Sequence, residues 1–120
     1  MRRSLPIAAM LAVAVCQQAW AEGDAAHGQQ IYESRCIACH SPDANRVGPM
    51  HRGVFGRKAG SVAGYAYSKA LMGTDFVWNE ETLDKWLTNP QAFVPGQKMN
   101  FKVADPQDRA DVIAYLKTLQ

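Results

Sequence analysis

The chain has few cysteines: Cys16, Cys36 and Cys39 are the three among its 120 residues. A structural zinc site normally takes about four ligands, and the second cysteine pair that would complete one is missing. The sequence also lacks any useful length of alternating apolar and polar residues, the pattern of β-strands. A thioredoxin-type dithiol site would need a βαβ pattern around its two cysteines, so its absence disfavours that chemistry too.

Long apolar runs are also lacking. The longest, residues 5–19, is shorter than the roughly 20 residues that span a bilayer as a helix. Two arginines precede this run, and Ala19-Trp20-Ala21 follows it as a small-x-small cleavage site. We therefore expect a cleaved signal peptide rather than an uncleaved anchor, export to the periplasm and no stable membrane insertion. The expected division of the chain is a signal peptide at residues 1–21 and one domain at residues 22–120.

The mature chain lacks net charge. Without the two arginines of the signal peptide, the 13 lysines and arginines fall to 11, which equals the 11 aspartates and glutamates. A basic field over the whole molecule, of the kind that attracts nucleic acid, is therefore absent, and no nucleic-acid partner is expected.

Helix signals are present in four segments. Asp24, Asn79 and Asp105 are typical N-caps, and Pro106 occupies a favourable first helical position. Long stretches rich in glycine and proline separate the helices, and such loops are uncommon in a compact domain unless they wrap something. The sequence predicts an all-α domain of three to five short helices with long loops. The predicted helices are residues 24–35, 67–72, 79–88 and 105–119, with a turn-rich stretch at 41–64 and a loop at 91–104.

The motif Cys36-Ile-Ala-Cys39-His40 carries the chemistry of the sequence. Two thiols at this spacing can each add to one vinyl group of a haem, and His40 is then placed to ligate the iron as proximal ligand. In an oxidising compartment, two cysteines this close are paired, metal-bound or alkylated. Since the zinc and dithiol alternatives lack their other elements, the motif predicts one covalently bound haem c.

The second axial position of the iron has three methionine candidates in the mature chain. Met50 lies in a Gly-Pro turn ten residues beyond the motif, where crossing the haem plane would be awkward. Met72 lies among apolar neighbours at helical spacing and is expected in the core. Met99 is favoured because it lies in a loop beyond a later helix, with His51 and His27 as imidazole alternatives. If they are not ligands, His51 is a loop residue without a role at iron and His27 a solvated helix residue.

In these features the sequence resembles the class I cytochromes c, of the mitochondrial and bacterial cytochrome c2 type. The resemblance covers nearly all of residues 23–120, and so many motifs in one order make it specific. It implies the class I cytochrome c fold, in which helices and loops wrap around one covalent haem. The stretches that carry it are residues 23–40, 46–49, 53–58, 64–67, 77–78, 80–83, 89–90, 94–99 and 113–117.

The resemblance also implies roles for individual residues. Met99 matches the family's Pro-Gly-x-Lys-Met loop and would be the distal ligand, while the carbonyl of Pro49 would accept the second N–H of His40. Gly28 and Tyr32 match the place where the first helix crosses the last. Three further residues match positions that hydrogen-bond or neutralise the haem propionates: Arg57, Tyr67 and Trp78.

Two departures from the family pattern stand out. Trp86 replaces a tyrosine whose hydroxyl points at the ligand methionine, and an indole can donate a hydrogen bond but not accept one. Trp86 is therefore expected to support the haem pocket differently from its counterparts. Gln97 replaces a threonine that commonly bonds a propionate.

The expected function is that of a monomeric one-electron carrier with both axial positions filled, not an enzyme. Its partners would be redox proteins such as a cytochrome bc1-type donor, a terminal oxidase, a reaction centre or a dehydrogenase. One alternative is a haem peroxidase or gas-binding protein with a labile sixth ligand; another is a dedicated subunit of one dehydrogenase. A local basic rim for docking would draw on Lys85, Lys98 and Lys102, with Arg35 or Lys58.

Overall fold

The structure is a computed structural model that describes residues 12–14 and 22–120. The predicted signal peptide lies outside the described residues except for residues 12–14. The expected all-α architecture is confirmed, since residues 22–120 contain one isolated β-bridge and no strand. Among the described helices, none has the length and apolar character that a membrane crossing requires. The helices are α1 (Ala25–Arg35), α2 (Lys69–Met72), α3 (Glu80–Thr88), α4 (Pro90–Phe93) and α5 (Pro106–Thr118).

The N-caps of the three longest helices were predicted from their sequences and are confirmed. The Asp24 carboxylate accepts the backbone N–H groups of the first turn of α1, and Asp105 does the same for α5. At α3, the Asn79 side chain accepts the N–H of Thr82 while the Thr82 hydroxyl accepts the N–H of Asn79. Each cap satisfies backbone donors that the helix cannot pair internally, which defines where the helix begins.

Two helices differ from their predictions. The short helix expected from residue 67 begins at Lys69, because the Ser68 hydroxyl caps it by accepting the N–H of Leu71 at 3.1 Å. The prediction that residues 91–104 are entirely loop is wrong, because α4 occupies their start. Asn89 ends α3 and also caps α4, where Pro90 takes the first helical position. Proline can begin a helix there since its missing N–H would have no partner in any case.

Met72 was expected in the core, and this prediction is wrong: the residue is 64 % exposed. The helix α2 has only one turn: Leu71 is its one buried residue, and Ala70 packs partly buried against the core, which leaves Met72 on the exposed side.

The first and last helices cross in close contact at Gly28. A Cβ atom at Gly28 would lie 1.9 Å from the Asp111 carbonyl oxygen and 3.0 Å from the Cβ of Tyr115. One turn later, the ring of Tyr32 packs on that of Tyr115 with centroids 5.2 Å apart. The predicted crossing at Gly28 and Tyr32 is therefore present, and Asp111 is a contact that the sequence did not indicate. Only glycine permits this approach of the two backbones.

A buried carboxylate joins the same two helices. Asp111 is 3 % exposed, and it accepts hydrogen bonds from the Asp24 N–H at 2.7 Å and the Gln107 amide at 3.0 Å. Its second oxygen lies 2.7 Å from Nδ1 of His27. This hydrogen bond raises the pKa of His27 above its ordinary value. Burial opposes ionisation of Asp111, but its hydrogen bonds keep the pKa of this carboxyl below the ordinary value.

We expect His27→Gln to destabilise the protein more at pH 5 than at pH 8. Protonated His27 pairs with Asp111 at pH values below the ordinary histidine pKa of 6.5. That contribution is lost as the pH rises through the higher pKa of the folded state. Free energies of unfolding by denaturant at both pH values measure the effect, since all other titrating groups are common to both proteins. In an Asp111→Asn background the difference in unfolding free energy between the two proteins should depend much less on pH, because only the charges of Asp108 and Asp24 then raise the pKa of His27. If native protein and His27→Gln differed in their free energy of unfolding by the same amount at pH 5 and pH 8, the pairing of protonated His27 with Asp111 would be contradicted.

The loops between α1 and α2 and after α4 complete the domain. The first loop is tied to the segment before α3 by backbone hydrogen bonds from Gly56 N–H to Trp78 O at 2.7 Å and from Trp78 N–H to Arg57 O at 2.8 Å. The second is tied to the end of α3, where Val103 N–H donates to Leu87 O at 2.8 Å. Backbone pairing thus holds both long loops, and a large cavity lies between them and the helices.

Candidate functional site

A cavity of about 620 Å³ lies between the helices and the loops. This volume is in the range of about 300–1,000 Å³ that is usual for sites of organic ligands and cofactors. Several buried aliphatic side chains form part of its wall, among them Leu71, Leu83 and Leu116. The structure brings all nine of the site residues predicted from the sequence to this one cavity. They are Cys36, Cys39, His40, Pro49, Arg57, Tyr67, Trp78, Trp86 and Met99.

The Cys-x-x-Cys-His motif forms a tight turn at the end of α1. Cys36 is the C-cap of the helix, and its carbonyl accepts the N–H of Cys39 at 3.2 Å and that of His40 at 2.9 Å. Burial raises the pKa of the Cys36 thiol to about 11, so it is protonated at neutral pH. Neither cysteine forms a disulfide within the described part of the chain, and the turn presents both of them and His40 to the same cavity.

The imidazole of His40 is held from two directions. Its Nδ1 lies 3.0 Å from the carbonyl oxygen of Pro49, in hydrogen-bonding contact. The backbone of Gly48 passes so close that a Cβ atom there would lie 2.1 Å from Cε1 of the ring. Burial lowers the pKa of His40, which favours the neutral ring. With Nδ1 donating to Pro49, Nε2 is left with a lone pair for a metal.

Met99 reaches the cavity from the loop that follows α4. A turn at Gly96, with φ +90°, directs the chain back toward the core, and Met99 packs partly buried against it. The side chain of Gln91 holds this turn in place. Gln91 accepts the N–H of Gly96 at 3.1 Å and donates to the carbonyl of Gln97 at 2.9 Å.

Gln97 stands where the family commonly has a threonine that bonds a propionate, and its side chain bonds the Met99 backbone instead. Its amide nitrogen donates to the Met99 carbonyl at 2.7 Å, and its amide oxygen accepts the Met99 N–H. The side chain is 4 % exposed. Gln97 therefore braces the Met99 backbone at both its N–H and its C=O group. A glutamine two residues before a methionine is not a known sequence motif, so the sequence alone does not predict these hydrogen bonds.

Polar groups at another part of the cavity suit an anion. The Arg57 guanidinium donates to Met50 O at 3.0 Å and to Arg52 O at 3.3 Å, while its Nε is buried without a partner among the described residues. The Tyr67 hydroxyl accepts the N–H of Val62 at 3.0 Å, so its own proton remains available to donate. An unpaired buried donor is costly, and a carboxylate would satisfy it.

The two tryptophans form one buried aromatic wall. Trp78 is 7 % and Trp86 9 % exposed, and their rings meet edge to face with centroids 5.3 Å apart. This arrangement is favourable for aromatic pairs. A smaller phenol at position 86 would leave part of this contact unfilled, so Trp86 contributes chiefly as packing.

The residues of this cavity fit a covalently attached haem. Two thiols are available for its vinyl groups, a neutral imidazole and a thioether are available for its iron, and aliphatic and aromatic side chains suit its ring. The unpaired Nε of Arg57 suits one of its carboxylates. Comparison with known proteins gives the same result: a family model described as cytochrome c matches residues 25–120.

The chain belongs to the cytochrome c family. A cytochrome c of Euglena viridis is 48 % identical over 101 residues, which are 82 % of this chain and 99 % of that protein. A cytochrome c2 of Rhodomicrobium vannielii is 49 % identical over 104 residues, 83 % of this chain and 82 % of the relative. Among solved structures, cytochrome cH from Methylobacterium extorquens matches with a TM-score of 0.77 and 46 % identity, covering 80 % of this chain and 99 % of that one.

Membership of this family confirms several predictions. The protein has the class I cytochrome c fold, holds one covalent haem c, and is an electron carrier rather than an enzyme. Cytochromes c act with redox partners, and this chain is expected to do the same.

One residue of the cavity has a larger part in the structure than the sequence suggested. His51 was considered as a ligand or else as a loop residue without a role at iron. It lies in the loop, but its ring lines the cavity and stacks directly on His40. No local pattern marks this position, because the loop that brings His51 back to His40 is shaped by tertiary contacts.

Proposed function

We propose that this cytochrome has a six-coordinate iron, with His40 and Met99 as axial ligands, and shuttles single electrons between redox complexes. The observation that carries the proposal is that both residues line one cavity although they are far apart in the sequence. Of the other candidates, Met50, Met72 and His27 do not line it. His51 does, but it is stacked on His40 and so lies beside the first ligand rather than across from it.

The protein's own residues prepare the site for electron transfer. The haem, when bound, supplies a one-electron iron couple. Pro49 orients the His40 ring through its carbonyl and increases the donor strength of the imidazole. Met99 offers a soft, neutral sulfur that favours the ferrous state. With both positions filled, no substrate reaches the metal, which separates a carrier from a peroxidase or a gas-binding protein.

The polar side chains of the cavity have a supporting role in this proposal. Arg57, Tyr67 and Trp78 are assigned to the haem propionates, because burying a carboxylate without partners is expensive. The free Nε of Arg57 and the free hydroxyl proton of Tyr67 support the assignment. Trp86 supports the ring of the haem by packing.

An optical spectrum of the oxidised protein tests this ligation. A methionine-to-iron(III) charge-transfer band, together with slow or absent binding of azide and cyanide, is the expected result. Immediate binding of either anion by an oxidised protein without that band would favour the peroxidase or gas-binding alternative instead.

Gln97→Leu is expected to loosen the ligand loop. The leucine keeps the buried volume but leaves the N–H and C=O of Met99 without their partners, at a cost of about 1–3 kcal/mol. The open state of the loop should then be populated roughly 5- to 150-fold more. A cyanide titration of the oxidised protein would show a proportionate gain in affinity. Gln29→Leu, which changes an exposed glutamine of α1 bonded to Glu33 at 3.0 Å, is the control and should leave the affinity unchanged. Unaltered affinity in the Gln97 variant would contradict the brace.

We further propose that the domain at residues 22–120 works in the periplasm as a monomer, after removal of residues 1–21. The basic start, the apolar run and the cleavage site support this. Donor and acceptor would come from the membrane or soluble redox proteins of that compartment: a cytochrome bc1-type complex, a terminal oxidase, a reaction centre or a dehydrogenase. A mature N-terminus at Glu22 in protein from the periplasmic fraction is expected. Co-purification with one dehydrogenase would instead favour the dedicated-subunit alternative.

A further inference from the structure

The contact between His51 and His40 is close and nearly parallel. The two imidazole rings have centroids 4.0 Å apart and an interplanar angle of 19°. This places a flat ring against one face of His40, while the Pro49 carbonyl holds its edge at Nδ1. The hydrogen bond to Pro49 restrains one atom of the His40 ring, and the stacked His51 ring also restrains the tilt of the His40 plane.

His51 is itself held in place by Tyr32. The Tyr32 hydroxyl lies 2.9 Å from Nδ1 of His51, a hydrogen bond that fixes the plane of the imidazole whichever partner donates. The two rings also meet edge to face, with centroids 5.5 Å apart. An aliphatic side chain at position 51 could fill the same space, but it could not be oriented by a hydroxyl.

Tyr32 is a rigid anchor for this hydrogen bond. It is 1 % exposed and packs on Tyr115 of α5, at the place where Gly28 lets the two helices approach. A side chain in such a close-packed position has little freedom to move. An unbroken series of contacts therefore runs from the crossing of α1 and α5, through Tyr32 and His51, to the face of His40.

We propose that Tyr32 and His51 are positioning residues that set the plane of the His40 imidazole at the iron. The inference rests on the proposed ligation by His40. A ligand held in one orientation directs the unpaired spin of a ferric haem along one axis, so the pair acts on the electronic structure of the site without touching the metal. Outer partners of metal-bound histidines are known to tune a site in this way.

Tyr32→Phe tests the proposal with the smallest possible change. It removes one hydroxyl, keeps the ring, and should shift both the g-values of the ferric protein and the spread of its four haem-methyl NMR signals. The matched control is Tyr115→Phe, which removes a hydroxyl from the neighbouring ring of the same cluster and should leave both spectra unchanged. His51→Leu should shift the spectra in the same direction, and adding Tyr32→Phe to it should produce little further shift. His51→Gln, which can still bond the hydroxyl, should return part of the native pattern.

The outcomes are distinguishable. If Tyr32→Phe changes the free energy of unfolding but leaves the g-values and methyl shifts as in the native protein, the pair is structural only and the proposal is overturned. The same conclusion follows if Tyr115→Phe shifts the spectra equally. If His51→Leu does not hold haem, the Tyr32→Phe and Tyr115→Phe pair alone decides. Native protein whose spectra lack histidine ligation would instead overturn the proposed function on which the inference rests.

Discussion

Replacing both Cys36 and Cys39 by alanine is expected to release the haem completely into acid–acetone and to leave a chain without stable helices. Thioether bonds from these two cysteines are what attaches the haem covalently to the chain. Without the haem the protein would contain an unfilled cavity of about 620 Å³. Unfilled core volume costs about 24 cal/mol per Å³, or roughly 15 kcal/mol for the whole cavity. Water entering from the surface reduces this cost, but domains are stable by only about 5–15 kcal/mol.

Acid–acetone extraction followed by circular dichroism of the extracted chain measures both parts of this prediction. The matched controls are the single variants Cys36→Ala and Cys39→Ala, each of which keeps one thiol for a thioether and should retain its haem through extraction. Haem that remains covalently bound in the double variant would refute attachment at this motif. Native-like helicity in the haem-free chain would show that the haem is not part of the core.

Met99→Ala is expected to leave the haem attached, to abolish the methionine-to-iron(III) charge-transfer band and to lower the reduction potential. The thioether favours Fe(II), and an open or water-filled position does not. Cyanide and azide should bind the oxidised variant at once, with an affinity at least tenfold above that of the native protein. Redox titration, the optical spectrum and an anion titration on the same preparation measure these three effects.

The chain offers a matched control for this change in Met72. That methionine is 64 % exposed on α2 and does not line the cavity, so Met72→Ala should leave the potential and the spectrum unchanged. An unchanged potential in the Met99 variant would refute the ligand assignment. A changed potential in both variants would point to a general loss of structure rather than to a lost ligand.

The helix starts of this domain could be predicted because they depend on neighbouring residues alone. Asp24, Asn79 and Asp105 cap helices through contacts within three residues of the chain. Short helices were harder to predict, since four residues carry little periodic signal. The exposure of Met72 depends on how α2 lies on the core, and composition holds no information on that.

The site was predictable to different degrees in its parts. The two thiols and His40 share one turn, so their chemistry is evident from five consecutive residues. Resemblance to a family with a known order of motifs assigned the distal ligand, Met99, and the residues at the propionates, Arg57, Tyr67 and Trp78. Spacing alone had left Met99 in competition with histidines.

By itself, the sequence determined that this protein holds a covalent haem with one histidine beside it, because covalent attachment needs only groups a few bonds apart. It also determined the caps of the main helices for the same reason. Only the tertiary structure decided how residues distant in the chain meet: Met99 lines the same cavity as the Cys-x-x-Cys-His motif, and His51 lies on His40 and is held by Tyr32. Those contacts join segments far apart in the chain, and they depend on how α1 and α5 pack at Gly28, which no short stretch of sequence encodes.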